Sequence, residues 1–590
     1  MRTRILFILL FVSNLCFAQN DFYLAENYFR EGEYEKATQI YKKLVDKNTY
    51  NTIYLKRLIT CYQETEKFDQ AEKLLTSKLQ KNPTLFHLNI EIGYNFERQQ
   101  KTELAKNYYE LGLSGIDGNP SLGVTAARLF KENNLLDYAI RAYKKAMSLN
   151  KGANHNFQIA QIQGEKGDFE KMFSSYIDLA DRNGNYLGTV KRFVSRYISE
   201  DAYDKNNILF KRTLLKKSIS NPKDIWNELL SWLFTRQHEY QKALVQEKAL
   251  FRRDPNYLSN INTLGRTAFN NKDYEAAKSC FSFVLSNTNF LDEKLFAHLY
   301  SLKSSIETKD KNVEAMFKKV LKTYGIKTST LNIQIAYADF LTFQKNEPSV
   351  AKEILEKALA LNSSKFEKAR IKLKLGDVLV FMGKYNKALI YFSQIQTKLK
   401  NHTLAQQARF KVAQTSFFKG DFTWAMAQLK VLKGSTTQLI ANDAVDLFLV
   451  ISDNEPKDSI STGLKKFAEA DLLAFQNKNE ASITIFSEII QKYKGQPIED
   501  EALYKQAAVF IKEGQFENAI TNYLKIIELK ADGILVDDAY YQLAETYYFK
   551  LNNPKKASEY YQKIIFDFGS SIYLVDARKK FRMLRGDTVN

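Results

Sequence analysis

Four alanines, Ala37, Ala71, Ala105 and Ala139, stand at a fixed interval of 34 residues. Each is followed four residues later by a large apolar side chain (Tyr41, Leu75, Tyr109, Tyr143). Each is preceded twelve residues earlier by a small or compact one (Ala25, Ile59, Gly93, Ala127). A period of this length marks one supersecondary unit, which cannot bury its apolar face without a stacked neighbour. The unit is clearest at residues 366–400. There Leu375, Val378, Leu379 and Met382 fall at spacings of three and four on one helical face, and Ala388, Phe392 and Ile395 do so on a second. Met382-Gly383-Lys384 supplies the turn, and Gly376 and Ala388 are small where two helices must approach closely.

The same cassette can be followed along the chain. A fifth copy keeps Gly167-Asp168-Phe169-Glu170-Lys171, with Met172 in the alanine place. The pattern blurs across residues 186–220 and recovers at Ala243 and Ala277. It then lengthens, with Ala351, Ala388 and Ala425 at intervals of 37 and Ala481, Ala519 and Ala557 at 38. A polar run at residues 452–459 interrupts it. The expected organisation is a 34-residue-period array over 19–290, a 37-residue-period array over 291–452, a linker over 453–460, and a C-terminal array with a capping helix over 461–590. The recurring small-and-large pattern resembles the tetratricopeptide repeat family. That resemblance implies an all-α, right-handed superhelical solenoid of helix–turn–helix repeats. In the last third, Ile498-Glu499-Asp500-Glu501-Ala502-Leu503-Tyr504 and Val536-Asp537-Asp538-Ala539-Tyr540-Tyr541 are similar to helix starts in Gram-negative envelope proteins, the Tol–Pal coordinator and the lipoprotein of the barrel-assembly machine among them.

With only 8 Pro and 23 Gly, 45% hydrophobic and 26% charged residues, the composition suits a helical protein and excludes collagen-like and disordered classes. Residues 1–18 read as a signal peptide: Arg2 and Arg4, an apolar run at 5–12, then Cys16-Phe17-Ala18 before Gln19. That run is too short for a bilayer, which needs about 20 residues. Leu15 before Cys16 departs from a lipidation signal and favours ordinary cleavage after Ala18. Cys61 and Cys280 then remain, in cassettes far apart, as two buried thiols. The formal charge of +19 would suggest nucleic acid for a cytoplasmic protein; export makes that partner unexpected.

The family resemblance implies that first helices line the inner surface of the solenoid. Alignment on the alanine anchor places Phe29, Tyr94, Arg98, Arg128, Trp232, Arg236, Arg266, Phe269, Phe381, Phe410 and Phe417 there, as candidate partner-binding residues. Aromatic and Arg side chains concentrate binding energy at interfaces. The asparagine clamp with which some such repeats grip acidic C-termini is not present, since its positions hold Glu26, Thr60, Tyr94, Arg128 and Trp232. No catalytic, cofactor or metal residues are expected. His238-Glu239-Tyr240-Gln241-Lys242 begins like a zinc-protease motif but has Lys242 where the second ligand must stand. Asp458-Ser459-Ile460 and Asp587-Thr588-Val589 resemble an O-glycosylation pattern. The expected function is a non-enzymatic scaffold or adaptor in the periplasm, or on the periplasmic face of the outer membrane, that binds protein partners through a concave groove. The alternatives are a structural envelope protein whose basic surface contacts an anionic polymer or membrane, and a regulatory subunit of an envelope complex.

Overall fold

The computed structural model describes residues 21–432, 438–454, 462–529 and 533–586. Among these residues there are helices and turns and no strands. Successive helices form antiparallel pairs, for example Leu88–Arg98 with Thr102–Ser114, and Gly123–Glu132 with Leu136–Leu149. The first helix of one pair also touches the first helix of the next, as Leu88–Arg98 touches Gly123–Glu132. The product is the expected solenoid of helix–turn–helix cassettes. No described helix is long and apolar enough to cross a membrane.

Contacts divide the chain into two compact units. One comprises residues up to Ser195 together with Ile208–Asn221, and the other Arg196–Asn207 together with Pro222–Asn590. The division falls where the sequence period blurs. In that stretch the short helix Leu187–Val194 is followed by turns and then by Lys205–Ser220. The first unit has a continuous apolar core from Ala25 to Ile162. In the second, one core cluster runs from Leu295 to Val509 and another from Leu503 to Ala577. Cys61 and Cys280 are both buried, and burial pushes their thiols up to about 11 and about 12. They are therefore protonated and inert at neutral pH.

One contact, repeated in several cassettes, sets the distance between paired helices. A small residue on the first helix receives a large ring from a position 16 residues later on the second. At Gly376 an added Cβ would lie 2.3 Å from Phe392 Cε1, and at Gly93 it would lie 2.6 Å from the Tyr109 ring. Ala25 and Tyr41, both fully buried, form the corresponding pair of the first cassette.

The turn between paired helices is equally regular. Gly32, Glu66, Gln100 and Asn134, again 34 residues apart, all adopt left-handed backbone, with φ of 78°, 56°, 62° and 58°. A six-residue bond closes each turn, as where Glu33 N–H donates to Tyr28 O at 2.8 Å and Lys384 N–H to Leu379 O at 2.8 Å. Glycine adopts this conformation without steric penalty, whereas Glu66 and Gln100 hold it at a cost of about 1–2 kcal/mol each.

The repeat rule breaks once within the second unit. Helix Gln438–Asn454 packs on Phe422–Leu432 as a first helix would. The next described helix, Thr462–Phe475, already pairs with Asn479–Lys492, so Gln438–Asn454 has no second helix among the described residues. Helix Thr403–Lys419 consequently touches both Gln438–Asn454 and Thr462–Phe475. Most of the expected linker 453–460 lies outside the described residues, as do residues 1–18, Asp458-Ser459-Ile460 and Asp587-Thr588-Val589.

Replacing Gly376 with Ala forces its Cβ into the Phe392 ring. The expected loss is about 1–3 kcal/mol, visible as faster amide exchange in Lys365–Phe381 and Tyr385–Lys398 with little change in distant cassettes.

Candidate partner-binding surface

In the first unit, the first-helix side chains not used in the core interlock with one another. Phe29 is half-buried, edge-on to Tyr34 with ring centroids 5.4 Å apart. It lies under the Arg57 guanidinium, 4.3 Å from its ring centre. Arg57 Nε donates to Glu26 Oε1 at 2.7 Å, and the Tyr41 hydroxyl donates to the same oxygen at 2.6 Å. Burial alone would raise the Glu26 carboxyl; Tyr41 and Arg57 outweigh it and hold the carboxyl below its ordinary range. Tyr94 is half-buried, and Arg98 pairs with Glu64 at 2.8 Å, exactly one cassette earlier in the chain. Lys131 and Glu165 repeat that rung at 2.7 Å. Arg128 is exposed, 3.8 Å from Glu132. The alanine anchor marks Arg98 as a first-helix surface residue and leaves its carboxylate, Glu64, unmarked. The signal for these pairs is opposite charge at an interval of 34 residues.

In the second unit, the Arg236 guanidinium sits 5.9 Å from the Trp232 ring centre, and both residues are half-buried. Arg266, one cassette on, is exposed and makes no ion pair among the described residues. Phe269 meets Tyr274 and Tyr300 edge-on at 5.5 Å and 5.3 Å. Phe410 is half-buried against the core. Two expected surface residues are core residues instead. Phe417 is 0% exposed, held between Phe422 and Phe467. The physical cause is helix Thr462–Phe475, which covers Thr403–Lys419 where a regular array would leave that face open. Phe381 is 7% exposed, edge-on to Phe343, with its carbonyl taken by the side chain of Gln476.

A second charged ladder runs along these middle cassettes. Lys374 bridges Asp339 and Asp377, and Lys411 reaches Asp377 at 3.1 Å. Burial would lower Lys374, but Asp377 and Asp339 overcome it and raise its pKa, so the side chain stays charged. Further on, the balance reverses. Burial pushes Glu501 up to about 7, with Asp446, Asp453 and Asp500 adding like charge and Lys505 opposing them. Burial likewise pushes Asp538 up to about 6, against the Tyr573 hydroxyl that donates to it at 2.7 Å. Asp471 is raised by burial too. Asp471, Glu501 and Asp538 lie on the first helices of three successive cassettes. Among the candidate residues, then, the structure groups Trp232 with Arg236 and Tyr94 with Arg98, and leaves Arg128 and Arg266 outward.

Comparison with known proteins accords with this geometry. Two family models described as tetratricopeptide repeat match the chain, one at residues 537–565 and the other at residues 19–48 and 501–529. The chain carries tetratricopeptide repeats. A TPR repeat-containing protein of Methanocaldococcus jannaschii is 26% identical over 165 residues, 28% of this chain and 29% of that protein, so the match spans under a third of the relative's length. Solved structures similar to this chain include the APC/C Cut9–Hcn1 hetero-tetramer, at 12% identity and a TM-score of 0.25 over 95% of both chains. Another is Naa15/Naa10 bound to HypK-THB, at 13% identity and a TM-score of 0.27 over 90% of this chain and 96% of that one. Tetratricopeptide arrays are scaffolds for protein–protein interaction, typically without catalysis of their own.

The raised carboxylates give these repeats a definite pH dependence. Glu501 ionises near 4.3 in an unfolded chain and near 7 in the fold. The folded state therefore binds more protons between those values, and this contribution to stability falls as pH rises through about 7. Glu501→Gln removes the group. The expected result is a stabilisation of Pro497–Lys512 that grows from pH 5 to pH 8, read by amide exchange; a pH-independent difference would refute the assignment.

Proposed function

We propose that this chain is a non-enzymatic scaffold of a Gram-negative cell envelope, holding protein partners along the first-helix faces of its tetratricopeptide repeats. The observation that carries the reading is the contrast among its arginines. Arg57 and Arg98 are taken up in ion pairs with Glu26 and Glu64. Arg266, and Arg128 with no more than a 3.8 Å approach to Glu132 of its own helix, extend outward from first helices whose neighbours include half-buried aromatic side chains. Arg with an adjacent aromatic surface is the composition that concentrates binding energy when a partner excludes water. The envelope location rests on residues 1–18, with their basic start, apolar run and small-residue cleavage site, and on the resemblance of the last cassettes to envelope proteins. An excess charge of +19 favours a second reading, in which basic faces contact an anionic envelope polymer or membrane.

A photo-crosslinking residue at position 128 or 266 should form a discrete protein adduct in the native envelope. The same residue at Leu111, exposed on the second helix Thr102–Ser114, should form none. Intact mass of the purified protein should place its start at Gln19. Equal adducts at all three positions would overturn the groove reading. Retention on envelope fractions that collapses steeply with salt, without adducts, would favour the anionic polymer.

A further inference from the structure

We infer that the turn at residues 475–478 is an intramolecular clasp that fixes the curvature of the second unit by gripping the helix ends of three earlier cassettes. In a linear repeat stack each cassette touches only its neighbours. This turn does otherwise. Asn477 Nδ2 donates to the Phe343 carbonyl, 134 residues back, and Gln476 Nε2 donates to the Phe381 carbonyl at 2.8 Å, 95 residues back. Phe343 and Phe381 are the last residues of Leu331–Phe343 and Lys365–Phe381. Their carbonyls are among those that a helix C-terminus leaves without an intrahelical donor. The two amides supply the missing donors.

The ring of Phe475 completes the grip. It lies edge-on to Phe343 at 5.4 Å and tilted against Phe418 at 5.8 Å, while Phe343 lies edge-on to Phe381 at 5.5 Å. The Lys411 ammonium stands 5.6 Å from the centre of the Phe475 ring. From the following cassette, Lys512 Nζ donates to Asn477 Oδ1. The turn is thus held on both sides, and its own backbone is left-handed at Asn477, with φ of 59°. Its reach follows from the break in the repeat. Because Gln438–Asn454 has no second helix among the described residues, the pair beginning at Thr462 settles on Thr403–Lys419 and carries its turn across the preceding first helices.

The clasp joins cassettes that a simple stack would leave free to flex against one another. It is independent of what the scaffold binds. The test uses the full chain with spin labels at Gln344→Cys and Glu480→Cys, both exposed sites, and measures their separation by pulsed dipolar spectroscopy. A narrow distribution is expected for the native turn. Combined Phe475→Ala, Gln476→Ala and Asn477→Ala should broaden it and shift it to longer distance, with helicity unchanged. The control Gln99→Ala with Gln100→Ala, in a turn whose Gln99 amide bonds only locally, to Asn95 O and from Lys101 Nζ, should not. Should the triple variant lose helicity, Asn477→Gly keeps the left-handed turn and removes the amide to Phe343 together with the acceptor of Lys512 Nζ. Amide exchange in the last turn of Leu331–Phe343 should then accelerate about tenfold. An unchanged distance distribution in the folded triple variant, or unchanged exchange in Asn477→Gly, overturns the clasp.

Discussion

The contact on which the structure depends is the seating of a large second-helix side chain against a residue with little or no side chain on the first helix. Gly376 with Phe392 and Gly93 with Tyr109 leave no room for a Cβ. Because the contact recurs in cassette after cassette, the helix spacing does too, and the charged rungs depend on it. Glu64 meets Arg98, and Lys131 meets Glu165, because corresponding residues of adjacent first helices come into register. Such exposed pairs add little stability one by one, roughly 0–1 kcal/mol. Their larger effect is to neutralise parts of a surface that would otherwise attract counter-charge indiscriminately.

Much of this was legible in the sequence, for a physical reason. A steric rule between two positions 16 residues apart must be written at both positions in every copy, so Gly376, Phe392 and their equivalents announce the helical pair. The turn at Met382-Gly383-Lys384 was legible too, because Gly383 occupies the left-handed position. Glu66 and Gln100 hold the same geometry with no glycine to mark it, since the closing hydrogen bonds and packed helices impose the conformation on whatever residue stands there.

The misplacements concentrate where the repeat itself fails. Phe417 and Phe381 occupy first-helix positions that a regular array would leave at the surface. Gln438–Asn454, a helix with no second helix among the described residues and invisible to an alignment anchored on alanines, brings Thr462–Phe475 and its turn over them. The carboxylates Asp471, Glu501 and Asp538 were hidden for another reason. Asp538 sits near a helix start, where an acidic residue is ordinary, and only the packing around it shows that its charge is poorly solvated. The middle cassettes offer a self-satisfied Lys–Asp ladder, the later ones carry strained negative charge, and outward arginines stand elsewhere. Three chemically different surfaces therefore arise from one repeated backbone plan.

The 134 residues between Phe343 and Asn477 also bear on how the chain is built. Each cassette needs only its immediate neighbours, so the stack can extend as the polypeptide emerges, one pair at a time. The grip on Phe343 and Phe381 cannot form until four further helical pairs or part-pairs have been made. Until then, the two helix-end carbonyls stay hydrated. Loop entropy opposes such a long closure, and non-local contacts slow folding in general. The second unit therefore combines a topology that assembles from local parts with a last step that has to wait for distant ones.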